Sequence, residues 1–204
     1  MADRGRPRSF DRAVALRRAM EVFWAKGFDG ASMTDLTTAM GIGSPSLYAA
    51  FGSKEKLFRE AVDLYGAIGD AKIWNVLPEA ATAREAVERF LHATAKAFTE
   101  PGQPAGCMIV LGALNANETN ASVCESLRQS RAEKIAALRD RLEQGVREGE
   151  LPVSFDCAAA ADFYATVQHG MSIQARDGAS REALAAIADC AMAAWDGLVS
   201  RARA

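Results

Sequence analysis

The sequence is poor in the residues that most catalytic and covalently stapled proteins rely on. It has two histidines, His92 and His169, and four cysteines, Cys107, Cys124, Cys157 and Cys190, with no C-x-x-C pair. Two distant histidines without clustered carboxylates or thiols do not make a ligand set, so no metal and no cofactor is expected. Scattered single cysteines read as thiols of a reducing compartment, not as a disulfide framework. There is no G-x-S-x-G, no P-loop, no H-E-x-x-H and no G-x-G-x-x-G after a strand. An enzyme is therefore not expected. Aromatics make up only 7% of the chain. The longest apolar run, around residues 107–111, is far too short to span a bilayer, and no secretory signal opens the sequence. A cytoplasmic protein without a membrane role is the expectation.

What is present is helix-forming. Half of the residues are hydrophobic and a quarter charged, enough for a real core. The net charge of −2 hides an asymmetry. Residues 1–60 carry ten Lys/Arg against seven Asp/Glu, whereas residues 61–204 carry fourteen against nineteen. Arg4, Arg6 and Arg8 stand around Gly5 and Pro7, a basic arm suited to a phosphate backbone or a minor groove. Residues 10–26 repeat Ala13, Leu16, Met20 and Phe23 at helical spacing, with Gly27 as the stop. Ser32 and Asp35 start a short helix over 34–40 that ends at Gly41. Ser44 as cap and Pro45 as first helical residue reopen one over 45–50, and Ser53 caps the next. Thr82-Ala83-Arg84-Glu85 is a capping box. Further helices follow near 106–114, 121–148, 156–175 and 180–201. Period-2 alternation is missing throughout. The expected fold is all-α with about nine helices: a flexible basic arm (1–9), a helix-turn-helix domain (10–56) and a helical ligand-binding and dimerisation domain (57–204).

Two short helices joined by Gly41-Ile42-Gly43 and braced by a longer one make a helix-turn-helix. Leu36, Ala39, Ile42 and Leu47 fall where the two helices cross. Ser44, Ser46 and Tyr48 fall on the first turns of the second helix, the part that enters a major groove. Residues 10–62 resemble the DNA-binding domain of the TetR/AcrR family of transcriptional regulators. The matching blocks are Ala19-Met20-Glu21-Val22-Phe23, Lys26-Gly27-Phe28, Ser32-Met33-Thr34-Asp35-Leu36, Ala39-Met40-Gly41-Ile42, Leu47-Tyr48 and Phe51-Gly52-Ser53-Lys54-Glu55-Lys56-Leu57.

The resemblance implies double-stranded operator DNA as partner, with Thr34, Tyr48 and Lys54 on phosphates and Ser44, Pro45 and Ser46 near base edges. Arg4, Arg6 and Arg8 would reach the backbone or minor groove. Pro45 and Gly43 depart from the family's usual small residues, which bears on base preference. The resemblance further implies a homodimer and a small-molecule effector. The last two helices suit a dimer interface through Ala161, Ala165, Leu184, Ile187, Ala191, Trp195 and Leu198. A ligand cavity would be walled by Phe90, Phe98, Cys107, Met108, Leu111, Phe163, Tyr164, Gln168, His169 and Met171, with His92 nearby; each of these is equally an ordinary core position. A DNA-binding adaptor whose second domain only dimerises is the alternative, and a filled core would favour it.

Overall fold

Asp11 opens the first helix by accepting hydrogen bonds from the N–H groups of Ala13 and Val14 at 2.9 and 3.1 Å. The fold is that of a computed structural model describing residues 10–202; Arg4, Arg6 and Arg8 lie outside them. Helix α1 (Arg12–Gly30) buries Ala15, Ala19, Met20, Phe23, Trp24 and Phe28. Its regular path breaks at Gly27, where the sequence expects a stop, but a further turn continues to Gly30. Gly27 takes φ +71°, and a Cβ there would stand 3.0 Å from the carbonyl oxygen of Gly112. The sideways step lets the Phe28 N–H donate to that oxygen at 2.7 Å.

Helix α2 (Met33–Met40) begins in a complete capping box: the Ser32 hydroxyl accepts from the Asp35 N–H, and the Asp35 carboxylate accepts from the Ser32 N–H. Gly41, at φ +67°, ends it in the left-handed region that favours glycine. Helix α3 (Ser44–Phe51) starts one residue earlier than its sequence signals suggest. Gly43 is the cap, Ser44 is already helical, and no side chain caps this end. Ser53 caps α4 (Lys54–Tyr65), so the expected domain boundary at residues 56–57 falls inside a helix.

The stripe Leu57, Ala61, Leu64 and Ile68 predicts that the helix capped by Ser53 runs to Ile68, with no element assigned to 69–80, but α4 ends at Tyr65 and residues 66–80 take a different form. They form a π-helical turn (Gly66–Asp70) followed by two four-residue helices, α5 (Ala71–Trp74) and α6 (Val76–Glu79). Gly69 and Pro78 are poor helix formers, which is why no periodic signal marked 69–80. Then come α7 (Ala83–Phe98), α8 (Met108–Leu111), α9 (Ala121–Arg147), α10 (Cys157–Arg176), α11 (Arg181–Ala193) and α12 (Trp195–Arg201). Among the described residues nine helices reach seven residues or more, and no strand occurs. Helix α1 packs on α2 and α4; α7 lies at the centre of the remainder, with α6, α10 and α11 against it. One apolar core runs from Ala15 to Trp195 without a gap between the two parts.

The stretch Arg181–Arg201, whose apolar residues are interrupted by charges and so form no long unbroken run, is nonetheless apolar and long enough to cross a membrane by length and composition, with mean hydropathy 1.3. In the fold it breaks at Ala194, and Leu184, Ala188, Ala191, Met192 and Trp195 pack inside the protomer. Only 28% of its most apolar window is buried there.

Between α7 and α8, Gly106 has φ +76°, and a Cβ would sit 2.6 Å from the Ser172 carbonyl oxygen. Gly102 has φ +82° with nothing within 4 Å. Both positions carry the backbone cost of an alanine, but only Gly106 adds a clash. Gly106→Ala should therefore destabilise by more than the roughly 1–3 kcal/mol of a non-glycine left-handed residue, and by more than Gly102→Ala, in parallel denaturant titrations.

Candidate nucleic-acid interface

Helix α3 is held from beneath by Leu47 and Phe51, both buried. Leu36 and Met40 of α2 complete the crossing, with Ile42 half-buried in the turn. Burial of those positions fixes the opposite face. Ser44, Pro45, Tyr48 and Ala49 are exposed, Ser46 half-buried. Tyr48 keeps 49% of its surface open, while Phe23, Phe28, Phe51 and Phe58 are core. Thr34 is exposed near the start of α2, where the first-turn N–H groups carry the positive end of the helix dipole.

Two features that the sequence reading missed steady this surface. Arg12 lies 4.3 Å from the centre of the Phe51 ring, pairs with Glu60 at 2.7 Å and donates to the Ala50 carbonyl at 3.3 Å. It thereby ties the C-terminal end of α3 to α1 and α4. Lys26 meets the Asp35 carboxylate at 2.6 Å. Hydrogen bonds from Lys26, then from the Ser32 side chain and backbone, hold the Asp35 carboxyl well below the usual carboxylate range. Neither was visible in sequence, since both partners lie on other elements.

Lys54 stands at the start of α4, but its ammonium lies 4.6 Å from the Phe28 ring centre. Partial burial pushes its pKa down, and nearby Asp29 opposes that. Lys56, one turn from Ser53, is the more open cation, its stem resting against Gly52. A basic residue at a helix start was the available signal for it, and Lys54 had drawn that reading alone.

The second part of the chain rearranges the sequence-based groupings. Phe90, Phe98, Cys107, Met108, Tyr164, Gln168 and Met171 are buried together in the core, with Leu111 and His169 half-buried. Burial pushes the His169 imidazole below its ordinary value, and the nearby Arg131 guanidinium adds to this. Phe163 does not belong with them: it is 39% exposed and touches Tyr164 edge-on from outside. The Tyr164 hydroxyl is buried without a hydrogen-bond partner and is pushed up to about 12 by that burial. A cleft of about 390 Å³ opens instead between α4, the π-turn, α5 and α9, lined by Val62, Asp63, Trp74, Ile109, Glu133 and Lys134 among others.

The expected dimer residues lie mostly on the inner sides of their helices. Ala161, Ala165, Leu184, Ala191 and Trp195 are buried within the protomer, and Ile187 and Leu198 are half-buried. The open face of α10 carries Phe163 and Ile173; that of α11 carries Ala183, Ala186, Cys190 and Ala193. Alanine-rich helices are apolar around much of their circumference, so spacing could not say which stripe faces inward.

Comparison with known proteins bears on both parts. The family model for bacterial regulatory proteins of the tetR family matches residues 15–61, and that for a tetracyclin repressor-like C-terminal domain matches residues 83–191. The HTH-type transcriptional repressor ComR of Escherichia coli K12 is 35% identical over 200 residues, covering 96% of this chain and 94% of that protein. BdcR, an HTH-type transcriptional repressor of the same organism, is 32% identical over 193 residues, covering 95% and 90%. Among solved structures, a cysteine-substituted form of the TetR family transcriptional regulator CifR, complexed with 26-bp double-strand operator DNA, superposes with TM-score 0.90. It is 46% identical over 93% of this chain and 100% of that one.

The lowered Asp35 acidity has a pH consequence for the helix that opens the motif. A carboxyl whose folded pKa lies below its unfolded value, near 4, contributes stability above that value. That contribution disappears as the pH falls through the folded value. Urea midpoints of wild type and Asp35→Asn should therefore differ at pH 7 and converge progressively below about pH 4.

Proposed function

The chain belongs to the TetR family of transcriptional regulators, and from that premise we propose a homodimeric repressor that binds a pseudo-palindromic operator and leaves it when a small molecule binds. The observation that carries the DNA-reading role is the open tip of α3: Ser44, Pro45 and Tyr48 stand exposed on a helix locked from below by Leu47 and Phe51. Tyr48 packs its ring on backbone sugars and offers its hydroxyl to a phosphate. Thr34 meets a second phosphate at the start of α2, and Lys54, with Lys56 beside it, a third. Ser44, Pro45 and Ser46 face base edges, and Arg4, Arg6 and Arg8 extend the contact along the duplex.

Two-fold DNA needs a two-fold protein. The outer faces of α10 and α11, with Phe163 and Ile173 at 39% and 48% exposure, supply an apolar surface to be covered by a second copy. This also accounts for the apolar length of Arg181–Arg201 without a membrane. The effector enters at the cleft beside Trp74, where a ligand touches the end of α4 and α9 together. Its action is a population shift: only the unliganded separation of the two recognition helices fits successive major grooves, about 34–36 Å apart. Residues 10–65 act as the DNA-reading unit and the remainder as sensor and dimer module. The protein works in the cytoplasm and performs no catalysis in this role.

Selection of genomic fragments with the purified protein should return one inverted-repeat sequence. Tyr48→Ala should weaken binding to it by about 1–3 kcal/mol in gel shifts at physiological salt, with an unchanged circular dichroism spectrum. Recovery of random DNA would remove the reading, and unchanged affinity would remove Tyr48 from the site. Phe163→Asp with Ile173→Asp should give a monomer by mass measurement at micromolar concentration; a persistent dimer would place the interface elsewhere.

A further inference from the structure

Where α1 breaks at Gly27, its hydrogen-bond ladder breaks as well. The Phe28 N–H, which would close the turn on the Trp24 carbonyl in a continuing helix, donates to Gly112 instead. The Trp24 carbonyl is taken by a residue far away in sequence: Arg176, in the last turn of α10, donates to it through Nη2 at 2.7 Å. The same guanidinium donates to the Ala25 carbonyl through Nη1 at 2.8 Å and to the Ala105 carbonyl through Nε at 3.0 Å. One planar fork thus joins the end of α1, the strap between α7 and α8, and the helix that carries the outer dimer face.

The strap is pinned from both neighbours. The Trp24 indole N–H donates to the Gly106 carbonyl at 2.9 Å, and the Cys107 N–H donates to the buried Ser172 hydroxyl, one turn before Arg176, at 2.8 Å. Gly106 has no room for a side chain against Ser172. By contrast, the covalent path from α4 into the second part runs through the π-turn with Gly66 and Gly69, residues of high backbone freedom. The hydrogen bonds that tie the end of α1 to α10 and to the strap are the non-covalent ones of Arg176 and Trp24.

We infer that Arg176 and Trp24 are positioning residues for operator recognition: they lock the DNA-reading unit onto α10 and so set the separation of the two recognition helices in the dimer. Neither residue contacts DNA. The inference rests on the dimeric operator-binding reading above. A lysine cannot replace the arginine, because an ammonium on a flexible stem lacks the fork that spans three carbonyls. The effect is geometric. Adding one base pair between half-sites moves them about 3.4 Å apart and turns one by roughly 35°. A locked dimer rejects that change, and a loosened one follows it.

The test uses the full-length protein and the inverted repeat selected with wild type, remade with one or two base pairs added to or removed from its centre. Wild type should lose about tenfold or more in affinity at each altered spacing. Arg176→Lys and Trp24→Phe, which keeps the ring against Tyr65 but loses the donated N–H, should bind the natural spacing within a few-fold and lose less than about threefold at the altered ones. Dimer mass should be unchanged. If either variant unfolds by circular dichroism, the other decides. A variant that is folded and dimeric but retains the wild-type spacing profile, even with uniformly weaker binding, overturns the inference, because that pattern belongs to a purely structural contact. Wild type that selects no sequence at all is a different failure: it removes the operator reading and takes the latch with it.

Discussion

Helix α1 has to satisfy two bodies at once, and the rest of the molecule is arranged around that demand. On one side Phe23 and Phe28 meet Phe58 of α4 edge-on, with ring centres 5.0 and 5.2 Å apart, and Trp24 meets Tyr65 at 4.8 Å. Fully burying such side chains is worth roughly 1.5–3 kcal/mol apiece, and edge-to-face geometry adds direction to the contact. At the start of α1, Arg12 lies over the Phe51 ring and so fixes α3 to the same helix. At its other end α1 runs out of regular hydrogen bonds at Gly27, and the second part of the chain fills what is left: Gly112 accepts from Phe28, and Arg176 donates to Trp24 and Ala25. A straight α1 would have satisfied its own carbonyls at Trp24 and Ala25 and left Arg176 only the Ala105 carbonyl to hold.

The same economy of small residues shapes the far end of the molecule. Helices α10 and α11 are built on alanine, which allows close approach on every side and leaves the choice of inner face to the larger residues. Tyr164, Gln168 and Met171 go inward on α10; Leu184, Met192 and Trp195 go inward along α11 and α12. What remains outside is still rich in alanine, with Phe163 and Ile173, interrupted by Asp162, Asp189 and Asp196 and bounded by Arg181, Glu182 and Arg201. As the dimer face proposed above, such a surface would be covered at less cost by a second copy of the chain than by lipid, since charged groups at the rim of an interface remain in water whereas in a bilayer they would not.

Much of this was legible in the sequence, and the part that was not has a common cause. Local signals read correctly: the Ser32–Asp35 box, the Gly41 stop, and the Ser53 and Thr82 caps all depend on residues within one helical turn of each other. The exposed tip of α3 followed from the same periodicity. Helix α3 began one residue early because Pro45 is as comfortable at the second helical position as at the first, so the proline could not distinguish Gly43 from Ser44 as cap. The groupings of the second part depend on more than local signals. Phe163 and Tyr164 are adjacent, both aromatic and in edge-on contact, yet one is exposed and the other buried, and that depends on which flank of α10 meets α7 and α9. Arg176 was beyond any local reading, since its carbonyl partners on α1 lie 151 and 152 residues away.

The composition of α3 gives the connection between its two ends a consequence for specificity. Its eight residues, SPSLYAAF, include no Arg, Lys, Asn or Gln, so it has no side chain able to make the bidentate base contacts that discriminate most strongly in the major groove. Hydroxyls at Ser44 and Ser46, the Pro45 ring and the Ala49 methyl favour short contacts and thymine methyl groups, each of which distinguishes bases weakly. A protein with such a helix gains selectivity from geometry: the width and stiffness of the DNA between contacts, the register of phosphates under Thr34 and Tyr48, and the distance between half-sites. Geometry discriminates only as well as the protein resists deformation. A weak base reader must therefore be a stiff one, and the half-buried fork of Arg176 on the broken end of α1 is where, on the inference above, this chain acquires that stiffness.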